Sequence, residues 1–177
     1  MLLVRHGQSE FNAVFAASRV DPGIRDPRLT ELGRRQAADS ARALEGLNVR
    51  RLVASPYTRT LETAAIIAAA LGVTVTVDPL VRERAAFVCD VGSPPAELGR
   101  RFPEFRFDHL DDPWWHDHIA RGIAEDEAAL VARCREFRRA MAAAADWRHV
   151  AVITHWGFIK AITGARVPNG EIIRVEP

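Results

Sequence analysis

Met1-Leu2-Leu3-Val4-Arg5-His6-Gly7-Gln8-Ser9-Glu10-Phe11-Asn12 opens the chain, and its first four apolar residues stop at an Arg-His-Gly turn followed closely by polar groups. A short apolar run cut off by glycine reads as a buried strand that delivers its last side chains to one end of a sheet. In open α/β sheets, ligands bind beyond the carboxyl ends of the strands. An arginine beside a histidine at such an end points to an anion held against a nucleophile or a base.

The same pattern recurs further along. The near-continuous apolar run from His149 to Thr154 suits a strand covered on both faces, and it stops at His155-Trp156-Gly157, where a helix begins. Leu52-Val53-Ala54 leads into Ser55-Pro56 and a helix from Thr58 to Leu71 that ends at Gly72, so Arg59 lies at a third strand-to-helix junction. Val73-Thr74-Val75-Thr76-Val77 is β-branched throughout and reads as a strand. Thr30 is placed to cap a helix running toward Gly46, in which Gly33 costs about 1 kcal/mol against alanine and implies close packing or a nearby ligand. Residues 13–28, broken by Pro22, Gly23 and Pro27, read as a loop over the site. Residues 78–122 are irregular apart from a short helix near Pro95–Phe102. A helix over Glu125–Ala145 follows, with Ala128, Val131, Ala132, Phe137 and Met141 assigned to one face. A turn at Asn169-Gly170 and a last strand, antiparallel at an edge, complete the chain. The expected fold class is α/β: a three-layer α/β/α sandwich on a mostly parallel sheet. Residues 1–177 are read as a single domain, with 84–122 as an insertion that covers the substrate.

Composition narrows the function. Lys+Arg 24 against Asp+Glu 23 leaves a net charge of +1, so no bulk field draws the chain to nucleic acid or to a membrane surface. No apolar run approaches the roughly 20 residues of a membrane span, and residues 1–4 are too short for a signal peptide. Cys89 and Cys134 are far apart and make no zinc spacing, which fits a reducing compartment; a cytoplasmic location is expected. His116-Asp117-His118 does not fix a coordination geometry, and no metal or other cofactor is expected.

If the strands are parallel, Arg5, His6, Arg59 and His155 converge on one edge of the sheet, backed by helix starts. Such a site suits a phosphate dianion, because each arginine offers a bidentate fork and helix N-termini add oriented N–H groups.

On these residues the chain resembles the histidine phosphatase superfamily, also called the phosphoglycerate mutase-like family. Arg5 through Asn12 matches RHGxSxxN, Leu29 through Ala37 matches LTxxGxxQA, Ser55 through Ala64 matches SxxxRxxETA, and His155-Trp156-Gly157 resembles the late H-x-G element. The resemblance implies His6 as a nucleophile that becomes phosphohistidine, with Arg5, Arg59 and His155 binding the phosphoryl group and Asn12 adding a hydrogen bond. It also implies a carboxylate after the third strand as proton donor to the leaving group. Glu83 fits that place, and Asp90 is second. The alternative for Glu83 is a solvated carboxylate paired with Arg82 or Arg84. Ser9 either touches phosphate or caps a helix, as does Thr60. Trp156 departs from the small residue common after the family's second histidine and stands with Gly157 beside the pocket. Trp114 and Trp115 are packing anchors by default and, placed in the insertion, candidates for the substrate entrance.

The resulting reading is a metal-independent phosphatase acting on a small phosphorylated metabolite. Mutase-type phosphoryl transfer is the second reading, disfavoured because an insertion carrying Asp108, Asp111, Asp112 and Asp117 is a poor grip for a second anion. Removal of phosphate from a protein histidine is the third, disfavoured by Glu83. A non-catalytic phospholigand-binding protein would be expected to lack His6 or an arginine. The sequence does not specify an oligomeric state, and a homodimer is compatible with it.

Overall fold

The computed structural model describes residues 1–177, the side chain of Arg121 excepted. Five strands form one sheet: β1 (Leu2–Arg5), β2 (Arg51–Ala54), β3 (Thr74–Val77), β4 (Val150–Thr154) and β5 (Ile172–Arg174). Their order is β3-β2-β4-β1-β5, with the first four parallel and β5 antiparallel to β1. The chain is therefore an α/β protein with a mostly parallel sheet and one antiparallel edge. Around the sheet lie α1 (Glu10–Ser18), α2 (Glu31–Leu44), α3 (Thr58–Leu71), α4 (Pro95–Arg101), α5 (His118–Arg121), α6 (Glu127–Ala143) and α7 (Trp156–Thr163).

The central strands are apolar at successive positions because both faces are covered. Leu2, Val4, Leu52, Ala54, Ala151 and Ile153 pack with Leu61, Ala64 and Ile67 of α3 and with Ala41 and Leu44 of α2. Leu3, Val53, Val150 and Val152 face the other way, onto Phe137 and Met141 of α6 and Phe158 and Ile159 of α7.

Register brings the three junctions together. Arg5 pairs with Thr154, and the His6 N–H donates to Thr154 O at 3.0 Å, so His6 and His155 leave neighbouring strands side by side. Ser55 N–H donates to Ile153 O at 3.1 Å, which places the start of α3 next to them.

Two expectations are corrected. Residues 10–18 are helical where 13–28 was read as loop. Ser9 caps α1, its hydroxyl accepting from Asn12 N while Asn12 Oδ1 accepts from Ser9 N, and this capping box outweighs the absence of a long periodic pattern. The buried face of α6 is Leu130, Arg133, Cys134, Phe137 and Met141, while Ala128 and Ala132 are exposed. Arg133 lies on that face in a buried ion pair with Glu125, so a charged residue occupies a position that periodicity assigns to an apolar one.

Among the described residues no helix is long and apolar enough to cross a membrane.

Candidate active site

At the carboxyl ends of β1, β2 and β4 lies a cavity of about 170 Å³ whose lining includes Arg5, His6, Asn12, Arg59, Glu83 and Trp156. Its floor depends on a close approach of backbone to backbone. A Cβ on Gly7 would run into the carbonyl of Gly33, and a Cβ on Gly33 would run into the backbone of Gln8. Gly33 therefore sits inside α2 for packing against the turn that carries His6. Thr30 N and Oγ1 bond Gln8, and Gly7 N–H donates to Thr63 Oγ1 at 3.2 Å, so α2 and α3 both hold that turn.

His6 is 3% exposed. Its Nδ1 lies 2.7 Å from Gly7 O. A carbonyl only accepts, so Nδ1 carries the proton and Nε2 keeps the lone pair. Burial, and then the charges of Arg59 and Arg5, hold this imidazole well below its ordinary 6.5. His6 is thus a neutral imidazole between two guanidinium groups.

Arg59 is buried and donates to Cys89 O at 2.9 Å and to Asp90 Oδ1 at 3.1 Å, with its guanidinium 4.3 Å from the Tyr57 ring centroid. The other oxygen of Asp90 accepts from Ala86 N and Phe87 N, each at 3.1 Å. Both carboxylate oxygens of Asp90 are therefore engaged in aiming Arg59 and shaping the 86–90 turn. Arg5 donates to Val167 O at 2.8 Å, and its Nε is buried without a partner.

His155 is fully buried behind His6, with ring centroids 5.1 Å apart, and does not reach the cavity wall. Its Nε2 is 2.8 Å from Ser55 Oγ, while its Nδ1 is buried and unpartnered. Burial first, then Arg59 and His6, hold it well below 6.5, so it too is neutral.

Glu83 lines the cavity and pairs with neither Arg82 nor Arg84 through its side chain. Its Oε1 accepts from Gly157 N and from Arg84 N, both at 2.9 Å, and its Oε2 has only a 3.2 Å contact with Gly157 N. A Cβ on Gly157 would collide with Oε1, which accounts for glycine at that position. Burial, followed by the negative charge of Asp90, raises the Glu83 carboxyl above its ordinary 4.5.

The segment presenting Glu83 is clamped by a buried pair that sequence reading missed. Arg133 donates to Leu80 O and Arg82 O at 2.8 Å each and to Glu125 Oε2 at 2.9 Å. Glu125 also accepts from Arg82 Nη2 at 3.2 Å and from Ala85 N at 3.3 Å. Asn169, a turn residue by sequence, also donates from Nδ2 to His6 O at 3.0 Å and to Asn12 Oδ1 at 3.2 Å. No local signal marks these links, because most of them join residues far apart in sequence and the Arg133–Glu125 pair spans eight residues across the start of α6.

Other candidates lie elsewhere or are committed. The Ser9 hydroxyl caps α1 and donates to Asn12 Oδ1 at 3.1 Å, and the Thr60 hydroxyl donates to Ser55 O and Tyr57 O. Trp114 packs on Tyr57 and donates to Ser93 O, away from the cavity, and Trp115 packs on Trp114. Asp108, Asp111, Asp112 and Asp117 are not on the cavity wall, so acidity of the insertion is not what shapes the site. Aromatic groups do that: Phe11, Phe87 and Trp156 all line it. His118 Nε2 lies 2.8 Å from Phe87 O, and among the described residues no cluster of three or more His, Cys, Asp or Glu could hold a metal ion.

The family model described as the histidine phosphatase superfamily (branch 1) matches residues 1–171. Glucosyl-3-phosphoglycerate phosphatase of Mycolicibacterium vanbaalenii is 30% identical over 168 residues, covering 93% of this chain and 72% of the relative. A probable phosphoglycerate mutase, GpmB, of Cronobacter sakazakii is 41% identical over 81 residues, which span 46% of this chain and 36% of that protein. The solved structure of a mycobacterial glucosyl-3-phosphoglycerate phosphatase in complex with VO3 superposes with a TM-score of 0.68 at 22% identity, over 97% of this chain and 88% of that one, a likeness of fold.

Proposed function

The chain belongs to the histidine phosphatase superfamily and is a phosphatase of it; from that premise we propose that it hydrolyses a phosphomonoester of a small metabolite through a phosphohistidine formed on His6. The observation that carries this reading is the setting of His6: a buried imidazole whose Nδ1 lies 2.7 Å from Gly7 O, lining a cavity with Arg5 and Arg59. Nε2 attacks phosphorus, and the bond from phosphorus to the alcohol oxygen breaks. The Gly7 carbonyl stabilises the charge the ring gains. Arg5 and Arg59 bind the equatorial oxygens and stabilise the charge spread over them. Arg5 Nε is a buried polar atom of a cavity-lining residue that lacks a partner, and a phosphoryl oxygen would satisfy it. Asn12 Nδ2 is left free to donate, since Oδ1 is committed to the cap.

Glu83 supplies the proton. Its raised carboxyl keeps the acid form available, and Oε2, the less engaged oxygen, is the atom that transfers it to the departing alkoxide. The resulting carboxylate then takes a proton from water, which attacks phosphorus. The P–N bond breaks, inorganic phosphate leaves, and His6 and Glu83 return to their starting forms. Asp90 is the poorer donor because both its oxygens are engaged.

The match to the probable mutase favours a second reading, phosphoryl transfer within a phosphoglycerate, over less than half of this chain. A second anion would need its own cations, and among the described residues Arg84 is the only arginine or lysine that lines the cavity beyond Arg5 and Arg59. Both cysteines are free and buried, which fits a cytoplasmic enzyme.

The test is hydrolysis of p-nitrophenyl phosphate in the presence of a chelator, with wild type active and His6→Ala silent. Undiminished turnover by His6→Ala sinks the assignment.

A further inference from the structure

The wall of the same cavity bears on the alcohol half of the substrate, an inference that rests on the phosphomonoesterase reading above. Once Arg5, Arg59, His6 and Asn12 are given to the phosphoryl group, the alcohol is left to face Phe11, Ala86, Phe87 and Trp156, with Glu83 and Arg84 beside them. Phe11, Phe15 and Phe87 form one aromatic cluster, with centroids 5.1, 5.2 and 5.4 Å apart. Phe87 is nevertheless 39% exposed. Its backbone is fixed at both ends, N–H to Asp90 at 3.1 Å and C=O to His118 at 2.8 Å, so the open ring face is held in place. A large apolar surface kept open in a cavity by rigid backbone marks a place for an apolar partner.

The charges exclude the other class. Among the described residues Arg84 is the one further guanidinium on the wall, and its Nε is already bonded to Glu125 O at 3.0 Å. Lys160 stands over the Trp156 ring, 5.0 Å from its centroid, and does not line the cavity. With Arg5 and Arg59 given to the phosphoryl group, a second anion would therefore meet, among the described residues, one partly committed fork. The cavity holds about 170 Å³ in all, phosphoryl group included, and an apolar cavity of about 150 Å³ accepts a benzene ring, so a ring on the alcohol would extend over the exposed face of Phe87.

We infer that the released alcohol is uncharged and carries a flat apolar face of about one ring, seated against Phe11, Phe87 and Trp156. The class is aryl or arylalkyl phosphates, in preference to phosphorylated hydroxy acids or polyols. Stacking and burial of such a ring raise kcat/KM about tenfold over a small polar alcohol of equal leaving ability.

The experiment compares kcat/KM of the full chain on benzyl phosphate, ethyl phosphate, glycerol 3-phosphate and 3-phosphoglycerate. All four release primary alcohols, so differences among them report chiefly binding of the alcohol and not its basicity. Benzyl phosphate is expected to lead by about tenfold, mainly through KM. Phe87→Ala should cut the benzyl-to-ethyl ratio by about as much, and Phe87→Leu, which keeps apolar bulk, by less. Glycerol 3-phosphate or 3-phosphoglycerate matching or exceeding benzyl phosphate overturns the inference, as does an unmoved ratio in folded Phe87→Ala. Those results leave the phosphatase reading intact. No turnover of these esters or of p-nitrophenyl phosphate overturns both.

Discussion

Glu83 differs from an ordinary loop carboxylate in lining the cavity with its two oxygens unequally engaged, Oε1 receiving two backbone N–H groups and Oε2 only a 3.2 Å contact. Removing its proton while keeping its shape should be selective. Glu83→Gln is expected to slow alkyl phosphates about 100-fold and p-nitrophenyl phosphate far less, because p-nitrophenolate leaves without protonation. Equal losses on both esters would assign Glu83 to binding. Direction of titration gives a second check. With His6 held below 6.5 and Glu83 raised above 4.5, alkyl phosphate hydrolysis should rise as His6 loses its proton and fall as pH passes through the Glu83 value, and Glu83→Gln should flatten that alkaline fall. Among single residues, Arg5, His6, Arg59 and His155 were readable because each ends a strand or opens a helix in a recurring pattern. Phe87 was not, since its place on the wall depends on Asp90 and His118, and only the fold brings His118 to it. The depth of His155, behind His6 and off the cavity wall, was also not readable.

At the level of elements, the site is a set of strand ends held by side chains from remote helices. The Arg133–Glu125 pair ties α6 to the 80–85 segment through three carbonyl and amide bonds. Arg133→Lys keeps the charge and loses the fork, leaving Glu125 and two carbonyls poorly paired. It should cost about 3 kcal/mol or more in urea unfolding and lower kcat on alkyl phosphates more than on p-nitrophenyl phosphate. A uniform loss would mean that the pair supports the fold without positioning Glu83. Gly33→Ala tests the other contact. Alanine ordinarily gains about 1 kcal/mol over glycine in a helix, but here its Cβ meets the Gln8 backbone, so a net loss of roughly 1–3 kcal/mol is expected. A stabilised variant would remove the packing explanation. The sequence carried α2, α3 and the strands plainly, through caps at Thr30 and Gly72 and β-branched or apolar runs. It concealed the inner face of α6, because the position that turns inward there is an arginine.

For the whole molecule, the same buried groups set both the phosphate chemistry and the pH dependence of stability. His6 and His155 are held neutral, with folded values below 6.5, so the unfolded chain binds protons first. Their contribution is complete above 6.5 and is lost as pH falls from there through the folded values, so Tm should drop between about pH 7 and 5. Glu83 has the opposite sign: its folded value lies above 4.5, so its contribution is present below that value and lost as pH rises through the folded one. Glu83→Gln should therefore raise Tm at pH 8 and leave it unchanged at pH 4. A Tm gain at pH 4 equal to that at pH 8 would show that ionisation of Glu83 is not the source.

The central claim is that His6 carries the phosphoryl group. Rapid quenching of the enzyme during turnover of p-nitrophenyl phosphate, followed by digestion and mass analysis under alkaline conditions, reads this directly. The expected result is an acid-labile, alkali-stable phosphoryl group on the peptide containing His6, formed with a burst of p-nitrophenol and absent from His6→Ala. Turnover with no phosphoryl-enzyme on His6, or with the label on another residue, would contradict it.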